Sequence, residues 1–264
     1  MEKEKKKFTI GGVTIGRLFD YFFIYSIVGF VIETIYGLIT KGVLESRQSF
    51  LYGPFCSIYG LGAVIMIPAL NRFKKNNFSL FIGGFIIGSI VEYMVSLLGE
   101  LIFHIKWWDY SGMAFNINGR ICIAFSFFWG VLAIFLMTYF NPKVDKIIDK
   151  IPNKYLKTVT ITGIIIIILD AIITGIALKI FFTRLVINYN LELKEGNRYT
   201  IQTPELYDND FMRYLSENVF TDEKILKTFP NIKVLDKDNN IIYVDSILKD
   251  IQPYYFRVFT PKKR

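Results

Sequence analysis

The sequence predicts an all-α polytopic membrane bundle of about five transmembrane helices, followed by a small α+β domain at the C-terminus. The 264-residue chain is 52% hydrophobic and 17% aromatic, which exceeds the apolar content of an average soluble domain. The apolar residues are concentrated in residues 1–183, whereas residues 184–264 are polar and carry nearly equal numbers of acidic and basic side chains. The chain therefore divides into a membrane part and a polar part.

A helix that crosses a bilayer needs about 20 mostly apolar residues. Five segments approach or exceed this length, and the second is the shortest: 18–39, 55–70, 78–103, 121–140 and 158–182. The first follows a basic N-terminus (1–17), as a signal peptide would. It contains Asp20 and Glu33 and lacks a small-residue cleavage site, so we interpret it as a retained transmembrane helix.

Charge predicts the orientation of these helices. The connections 1–17, 71–77 and 141–157 carry most of the Lys and Arg residues, and 40–54 and 105–120, here called the outer loops, carry few. Because positive residues favour the cytoplasmic side, we predict a cytoplasmic N-terminus in a bacterial cell membrane. Five helices then place residues 184–264 outside the cell. Nearly all of the net positive charge lies in the membrane part, which argues against a nucleic-acid partner.

The segment 143–157 alternates Lys and Asp with apolar residues at helical spacing. It predicts an amphipathic helix on the inner membrane surface, either as a simple linker or as a docking element for a cytoplasmic partner. The fifth transmembrane helix is predicted over 158–183.

Two motifs occur twice and suggest a parallel internal repeat within the four-helix core (18–142). Gly-x-x-x-Glu ends at Glu33 and again at Glu92, and Gly-x-x-Cys ends at Cys56 and again at Cys122. The repeat units are about 18–70 and 78–140. Such a duplication relates the two units by a pseudo-two-fold axis along the membrane normal.

The duplication places Glu33 and Glu92 at related positions inside the membrane, where an unpaired carboxylate costs several kcal/mol. Each glutamate either lines a substrate path or forms a structural ion pair with Arg47 or Arg120. A protonated, hydrogen-bonded carboxyl group is a third interpretation. Asp170 in the fifth helix carries a weaker version of the same hypothesis.

The outer loops are rich in aromatic residues, as expected at a membrane interface. Interfacial anchoring does not explain the polar residues between them, which would suit a polar site capped by loops: Tyr52, Asp109, Asn116, Asn118 and Arg120. Cys56 and Cys122 are either a disulfide pair or two buried thiols, and the second interpretation is favoured. One histidine and two cysteines indicate no metal site, and no cofactor is predicted.

In the polar part, Thr221 and the acidic residues after it predict the start of a helix. Residues 232–235 and 241–244 predict a β-hairpin, to which 254–259 would add a third strand. We expect a binding or packing module.

Three blocks of sequence in the outer loops resemble a known family: residues 50–60 (FLYGPFCSIYG), 107–111 (WWDYS) and 115–122 (FNINGRIC). They resemble the CmpB-like ABC-transporter permease family of type IV membrane proteins over roughly residues 20–142. Glu33 and Glu92 also fall where that family carries membrane glutamates. The resemblance implies a permease subunit and no particular substrate.

The chain has no G-x-x-x-x-G-K-[ST] loop, so an ABC system would need a separate ATPase docked on 71–77 or 143–157. Few transmembrane helices favour a homodimer or a second membrane subunit. Two alternatives stay open: a membrane-embedded enzyme acting on lipid or envelope precursors at the outer face, and a sensor or scaffold. No catalytic triad is recognised, so enzymatic activity is not expected.

Overall fold

Four long apolar helices dominate the structure, a computed structural model that describes residues 8–103, 105–193 and 206–260. Helices α1 (Ile15–Lys41), α3 (Asn77–Phe103), α4 (Ile123–Ile148) and α5 (Asn153–Tyr189) are long and apolar enough to cross a membrane. Helix α2 (Ser57–Leu70) continues through a 3₁₀ turn (Asn71–Phe73) and is shorter. The mostly helical fold is confirmed, with four helices that could cross a membrane, and the fifth crossing stays a prediction.

The amphipathic helix expected over 143–157 is divided in two. Residues up to Ile148 are the end of α4, which passes through a π-helical turn (Leu136–Phe140), and α5 begins at Asn153. Pro152 lies between them, and a proline disfavours helical backbone in the residue before it. The segment is therefore a tight connection between two long helices.

Helix α5 is longer than the predicted fifth transmembrane helix at both ends. Its 37 residues extend about 55 Å at 1.5 Å per residue, against a hydrocarbon core of about 30 Å. Helix α5 is therefore longer than one membrane crossing requires.

The chain folds into two compact units, of which the first comprises residues 8–29, 57–95 and 110–166. Its core joins side chains of α1, α2, α3 and α4, among them Tyr25, Met66, Leu80 and Trp129. At one end of this unit a hairpin of β1 (Thr9–Ile10) and β2 (Val13–Thr14) contacts the end of α2, where the Asn71 amide donates to Gly11 O at 2.9 Å.

The connection between α4 and α5 is held at the same end by polar contacts. Arg17 forms ion pairs with Asp145 and Asp149, and the Tyr21 hydroxyl donates to Asp145. Asn141, one helical turn before Asp145, donates to it at 3.1 Å. The N-terminus of α1 is therefore fixed to the turn that follows α4.

The second unit comprises residues 30–56, 96–109 and the described residues from 167 to 260. Its remaining elements are short helices and strands: α6 (Asp210–Tyr214), α7 (Asp222–Thr228), α8 (Val244–Ile247), β3 (Val43–Leu44), β4 (Ile105–Lys106), β5 (Lys233–Leu235), β6 (Ile241–Tyr243) and β7 (Phe256–Arg257). Its core includes Phe181 and Leu185 of α5 together with Leu51 and Ile105 of the outer loops. The core thus crosses the domain boundary predicted at residue 184.

Both outer loops contribute a strand to this unit. The predicted hairpin is present as β5 and β6, and Thr221 caps α7 by accepting from Lys224 N at 3.2 Å. The third strand of the hairpin sheet is β4, however, and β7 pairs with β3 in a separate sheet. Ile105 lies opposite Val234 and is fully buried, so burial of apolar loop side chains explains this pairing.

Arg184, near the end of α5, is the central polar residue of the second unit. The buried guanidinium pairs with Asp222 at 2.6 Å and donates to Ser216 O and Phe220 O. These carbonyl groups belong to the π-helical turn Leu215–Val219 and the residue after it, so one side chain ties α5 to the segment that leads into α7.

Replacing Arg184 with Met is expected to destabilise the second unit by about 3 kcal/mol, because it leaves Asp222 without its buried partner. Arg213→Met is the matched control, since Arg213 forms an exposed pair with Asp210 that contributes less than about 1 kcal/mol. Thermal unfolding in detergent measures both, and equal melting temperatures for the two variants would contradict the role of Arg184.

Lys233 should make the stability of the second unit depend on pH. Burial lowers the pKa of its ammonium group, Asp109 and Asp245 oppose the shift, and Lys41 and Lys106 add to it. Between the lowered pKa and about 10.5 the unfolded chain keeps a proton that the folded chain loses, so stability rises with pH there. Lys233→Met should remove this rise, whereas Lys227→Met, at an exposed pair with Glu223, should retain it. The free energy of unfolding of the two variants, measured between pH 7 and pH 10, tests this prediction.

Candidate functional site

Glu92 of α3 is a buried carboxylate that accepts hydrogen bonds from Tyr110 and Trp129. The Tyr110 hydroxyl donates to Oε1 at 3.0 Å and Trp129 Nε1 donates to Oε2 at 3.1 Å. The residue is 3% exposed. A buried charge needs such hydrogen bonds to offset its desolvation, and both carboxylate oxygens accept here.

Small residues let α3 and α4 approach closely beside Glu92. A Cβ on Gly88, one turn earlier, would lie 2.4 Å from the Cβ of Trp129, so only glycine leaves room for the indole. Ser89 donates to the Ser126 hydroxyl at 2.7 Å on the same interface. This small-residue packing is typical of membrane helices, and it places the Trp129 donor at the carboxylate.

The outer loop between α3 and α4 reaches the next residue of α3, Tyr93. The Asn118 amide donates to the Tyr93 hydroxyl at 3.0 Å, and the Arg120 guanidinium lies 5.6 Å from the centre of the Tyr93 ring. Tyr110 of the same loop stacks on Phe125 with ring centres 4.7 Å apart. The loop thus brings polar and aromatic side chains to the Glu92–Tyr93 turn.

Asn116 stabilises the loop itself. Its side chain donates to the carbonyl oxygens of Ser111 and Met113 and accepts from Gly119 N at 3.1 Å. Two predicted loop residues, Asn118 and Arg120, therefore contact α3 at the residue after Glu92. Asn116 stabilises the loop segment to which Asn118 and Arg120 belong.

Glu33, in the second unit, has different surroundings. Its Oε2 lies 3.9 Å from Arg47 Nη1, and Arg47 also pairs with Glu45 at 2.6 Å. Lys41 contacts the same Glu45 oxygen at 2.7 Å. The structure thus contains the ion pair with Arg47 that was one of the interpretations of Glu33, as part of a charge network at the end of α1.

Asp170 holds the first outer loop. Its carboxylate accepts from Tyr52 N at 3.1 Å, and Thr174, one turn later, accepts from Leu51 N at 2.8 Å. The Lys224 ammonium donates to the Tyr52 hydroxyl at 3.1 Å. Tyr52 and Asp170 therefore order a loop backbone, which is a structural role.

The other predicted residues lie apart from these contacts. Asp109 acts electrostatically on Lys233 in the second unit. Cys56 and Cys122 are both buried thiols rather than halves of a disulfide, and Cys122 Sγ lies 3.7 Å from Met113 Sδ. Within the described residues, no group of three His, Cys, Asp or Glu side chains is placed to hold a metal ion.

The donors to Glu92 were not singled out from the sequence. Trp129 was counted only as part of an apolar helix, and Tyr110 as one aromatic residue among several at the interface. The sequence contains one signal for a Trp129 contact. Trp129 lies two turns after Cys122, and α4 begins directly after Cys122. It gives no indication of which carboxylate the indole would reach.

Gly88→Ala is expected to destabilise the first unit by about 1–3 kcal/mol, because the new methyl group would overlap a Cβ atom fixed to the α4 backbone. Gly175→Ala is the matched control, since no atom lies within 4 Å of its added Cβ, and alanine should there be neutral or stabilising. Melting temperatures in detergent measure both. Equal tolerance at the two positions would contradict the close packing beside Glu92.

Comparison with known families covers most of the membrane part. The family described as "Putative ABC-transporter type IV" (ABC_trans_CmpB) matches residues 20–175. No curated protein and no solved structure is significantly similar to the chain. The match reaches into α5, beyond the region of resemblance seen in the sequence, and it covers more than half of the chain. The chain therefore belongs to the ABC-transporter type IV family.

Proposed function

We propose that the chain is the permease-like membrane subunit of a transporter and that Glu92 lies on the substrate path. The buried carboxylate of Glu92 is the observation that carries the proposal. Among its donors, Trp129 belongs to an apolar helix and Tyr110 belongs to an outer loop. A solute that donates hydrogen bonds would replace Tyr110 when the loop moves.

The strand pairing supports a topology of five transmembrane helices. Strand β3 follows α1 directly, β4 follows α3, and both pair with strands of the second unit. The C-terminal ends of α1 and α3 would then lie on one side of the membrane. The chain between them must return across the bilayer, and α2 with its 3₁₀ turn is the helix available, at about 27 Å.

The same topology places the N-terminus of α1, the end of α2 and the turn after α4 together on the other side of the membrane. The β1–β2 hairpin contacts the end of α2, and Arg17 contacts the turn after α4. With the basic connections on the cytoplasmic side, the second unit is extracytoplasmic. The assignment of the second unit to the extracytoplasmic side follows from the strand pairing and the basic connections. It does not depend on the number of transmembrane helices.

We also propose that the helix pairs α1–α2 and α3–α4 are two copies of one internal repeat. Gly53 and Gly119 both have positive φ, at 74° and 65°. Helices α2 and α4 both begin at the residue after the repeated cysteine, and α1 and α3 have 27 residues each.

A separate ATPase would dock on the cytoplasmic side, because the sequence has no phosphate-binding loop. The turn between α4 and α5 is the better candidate of the two predicted surfaces. Ile147, Ile151 and Tyr155 are exposed there beside Lys146 and Lys150. A homodimer would supply a second set of helices.

Glu92→Gln tests this proposal in membranes from the native host, purified in nanodiscs with the associated proteins. We expect the wild-type chain to retain an ATPase whose hydrolysis responds to the membrane subunit. Glu92→Gln should keep the ATPase bound and lower the coupled activity at least about tenfold, as the loss of one charged hydrogen-bond acceptor predicts. Glu223→Gln, at an exposed carboxylate, is the control.

An intact complex whose coupled activity is unchanged by Glu92→Gln would remove Glu92 from the path. Absence of any bound ATPase would remove the transporter assignment itself. The variant's melting temperature, measured in parallel, separates a loss of coupling from a loss of fold.

One observation favours a second function, a sensor at the outer face. Leu51, Ile105 and Trp107 of the outer loops pack in the core of the second unit or against it, so a partner bound outside would act on the membrane helices through these loops. A sensor predicts that function survives Glu92→Gln and is lost when exposed residues of α6, such as Phe211, are replaced.

A further inference from the structure

The last described segment of the chain, residues 254–259, is fixed at the C-terminal end of α1. Tyr255 N donates to Leu44 O at 2.8 Å, and Val258 N donates to Gly42 O at 2.7 Å. Gly42 has a φ of 68°, and a Cβ there would lie 2.0 Å from Phe259 O. Backbone contacts and a required glycine therefore place this segment one residue beyond the end of a membrane-spanning helix.

Its side chains are apolar but little covered by the protein. Tyr255, Phe256, Val258 and Phe259 are between 45% and 58% exposed. Large apolar side chains that a backbone pairing holds in place, and that the protein leaves uncovered, mark an interaction surface. The segment therefore has a defined conformation and leaves about half of its apolar side-chain surface exposed within the described part of the second unit.

The surface continues that of α1. Ile35, Tyr36 and Ile39, in the last two turns of the helix, are between 51% and 67% exposed. In a membrane-spanning helix such residues face lipid. Gly42, which binds the segment, follows Ile39 by less than one turn, so the apolar surfaces of α1 and of 254–259 meet at the membrane boundary.

The charges nearby suit a lipid headgroup. Arg257 is exposed within the segment, and the sequence continues to Lys262, Lys263 and Arg264, which lie outside the described residues. Basic residues beside aromatic ones are the composition of a membrane-interface anchor, in which rings enter the headgroup region and cations contact phosphate.

We infer that residues 254–259 form an interfacial anchor that inserts Tyr255, Phe256, Val258 and Phe259 into the lipid of the same bilayer. The anchor fixes the second unit against the membrane surface beside α1. It concerns the attachment of the extracytoplasmic part and is independent of what the membrane helices transport.

Site-directed spin labelling of the full chain in nanodiscs tests the anchor. The labels are placed by Phe256→Cys and, as a matched exposed aromatic of the same unit, by Phe211→Cys, which is 65% exposed. Ile165→Cys in α5 is the lipid reference and Asp238→Cys in the hairpin loop is the water reference. The unsubstituted chain, whose cysteines are buried, gives the labelling background.

Relaxation by oxygen, which enters lipid, is compared with relaxation by a water-soluble nickel complex. We expect the label at residue 256 to favour oxygen at a depth of about 5–10 Å, between the two references, and the label at residue 211 to resemble Asp238→Cys. A nickel accessibility at residue 256 equal to that at residue 238 would overturn the anchor. Low accessibility to both reagents would also overturn it, because a protein would then cover the segment.

A second label, placed by Val258→Cys, tests whether the first substitution disrupts the segment locally. Both side chains are more than half exposed, and the inference inserts both into lipid. Both should report the same environment, and a nickel-accessible label at residue 258 would contradict insertion of the segment even if residue 256 favoured oxygen.

Discussion

The pairing of loop strands with C-terminal strands is the interaction on which the rest of the second unit depends. Strands β3 and β4 have two residues each, so their hydrogen bonds alone contribute little. Burial of Ile105 and Leu51 with Phe181 and Leu185 supplies the apolar contact that holds them. Because the loops belong to this core, the C-terminal part is a continuation of the membrane fold, and removing it would expose the loops.

In the first unit, the main energetic cost is the burial of a carboxylate among apolar helices. An ionised glutamate at membrane depth costs several kcal/mol unless it is paired or hydrogen-bonded. Trp129 and Tyr110 donate hydrogen bonds to Glu92, and Gly88 leaves room for the indole. Because Tyr110 belongs to a loop, this hydrogen bond links the fold of that loop to the proposed function.

Sequence patterns predicted the helices well because long apolar runs leave few alternatives in a membrane. They also predicted the β5–β6 hairpin and the Thr221 cap, which are local features. They did not predict that Ile105 would complete the hairpin sheet, since two-residue strands carry no periodic signal. Glu92 was identified from its cost in the membrane, whereas Tyr110 and Trp129 depend on tertiary contacts that no spacing encodes.

The side of the membrane on which each connection lies is the most direct test of this organisation. Single cysteines at Gly112 in an outer loop, Asp238 in the β5–β6 hairpin and Lys150 in the α4–α5 turn can be labelled in intact cells with an impermeant maleimide. We expect residues 112 and 238 to react before permeabilisation and residue 150 only after it. Reaction of residues 112 and 238 from opposite sides would contradict the joining of the outer loops to the C-terminal strands.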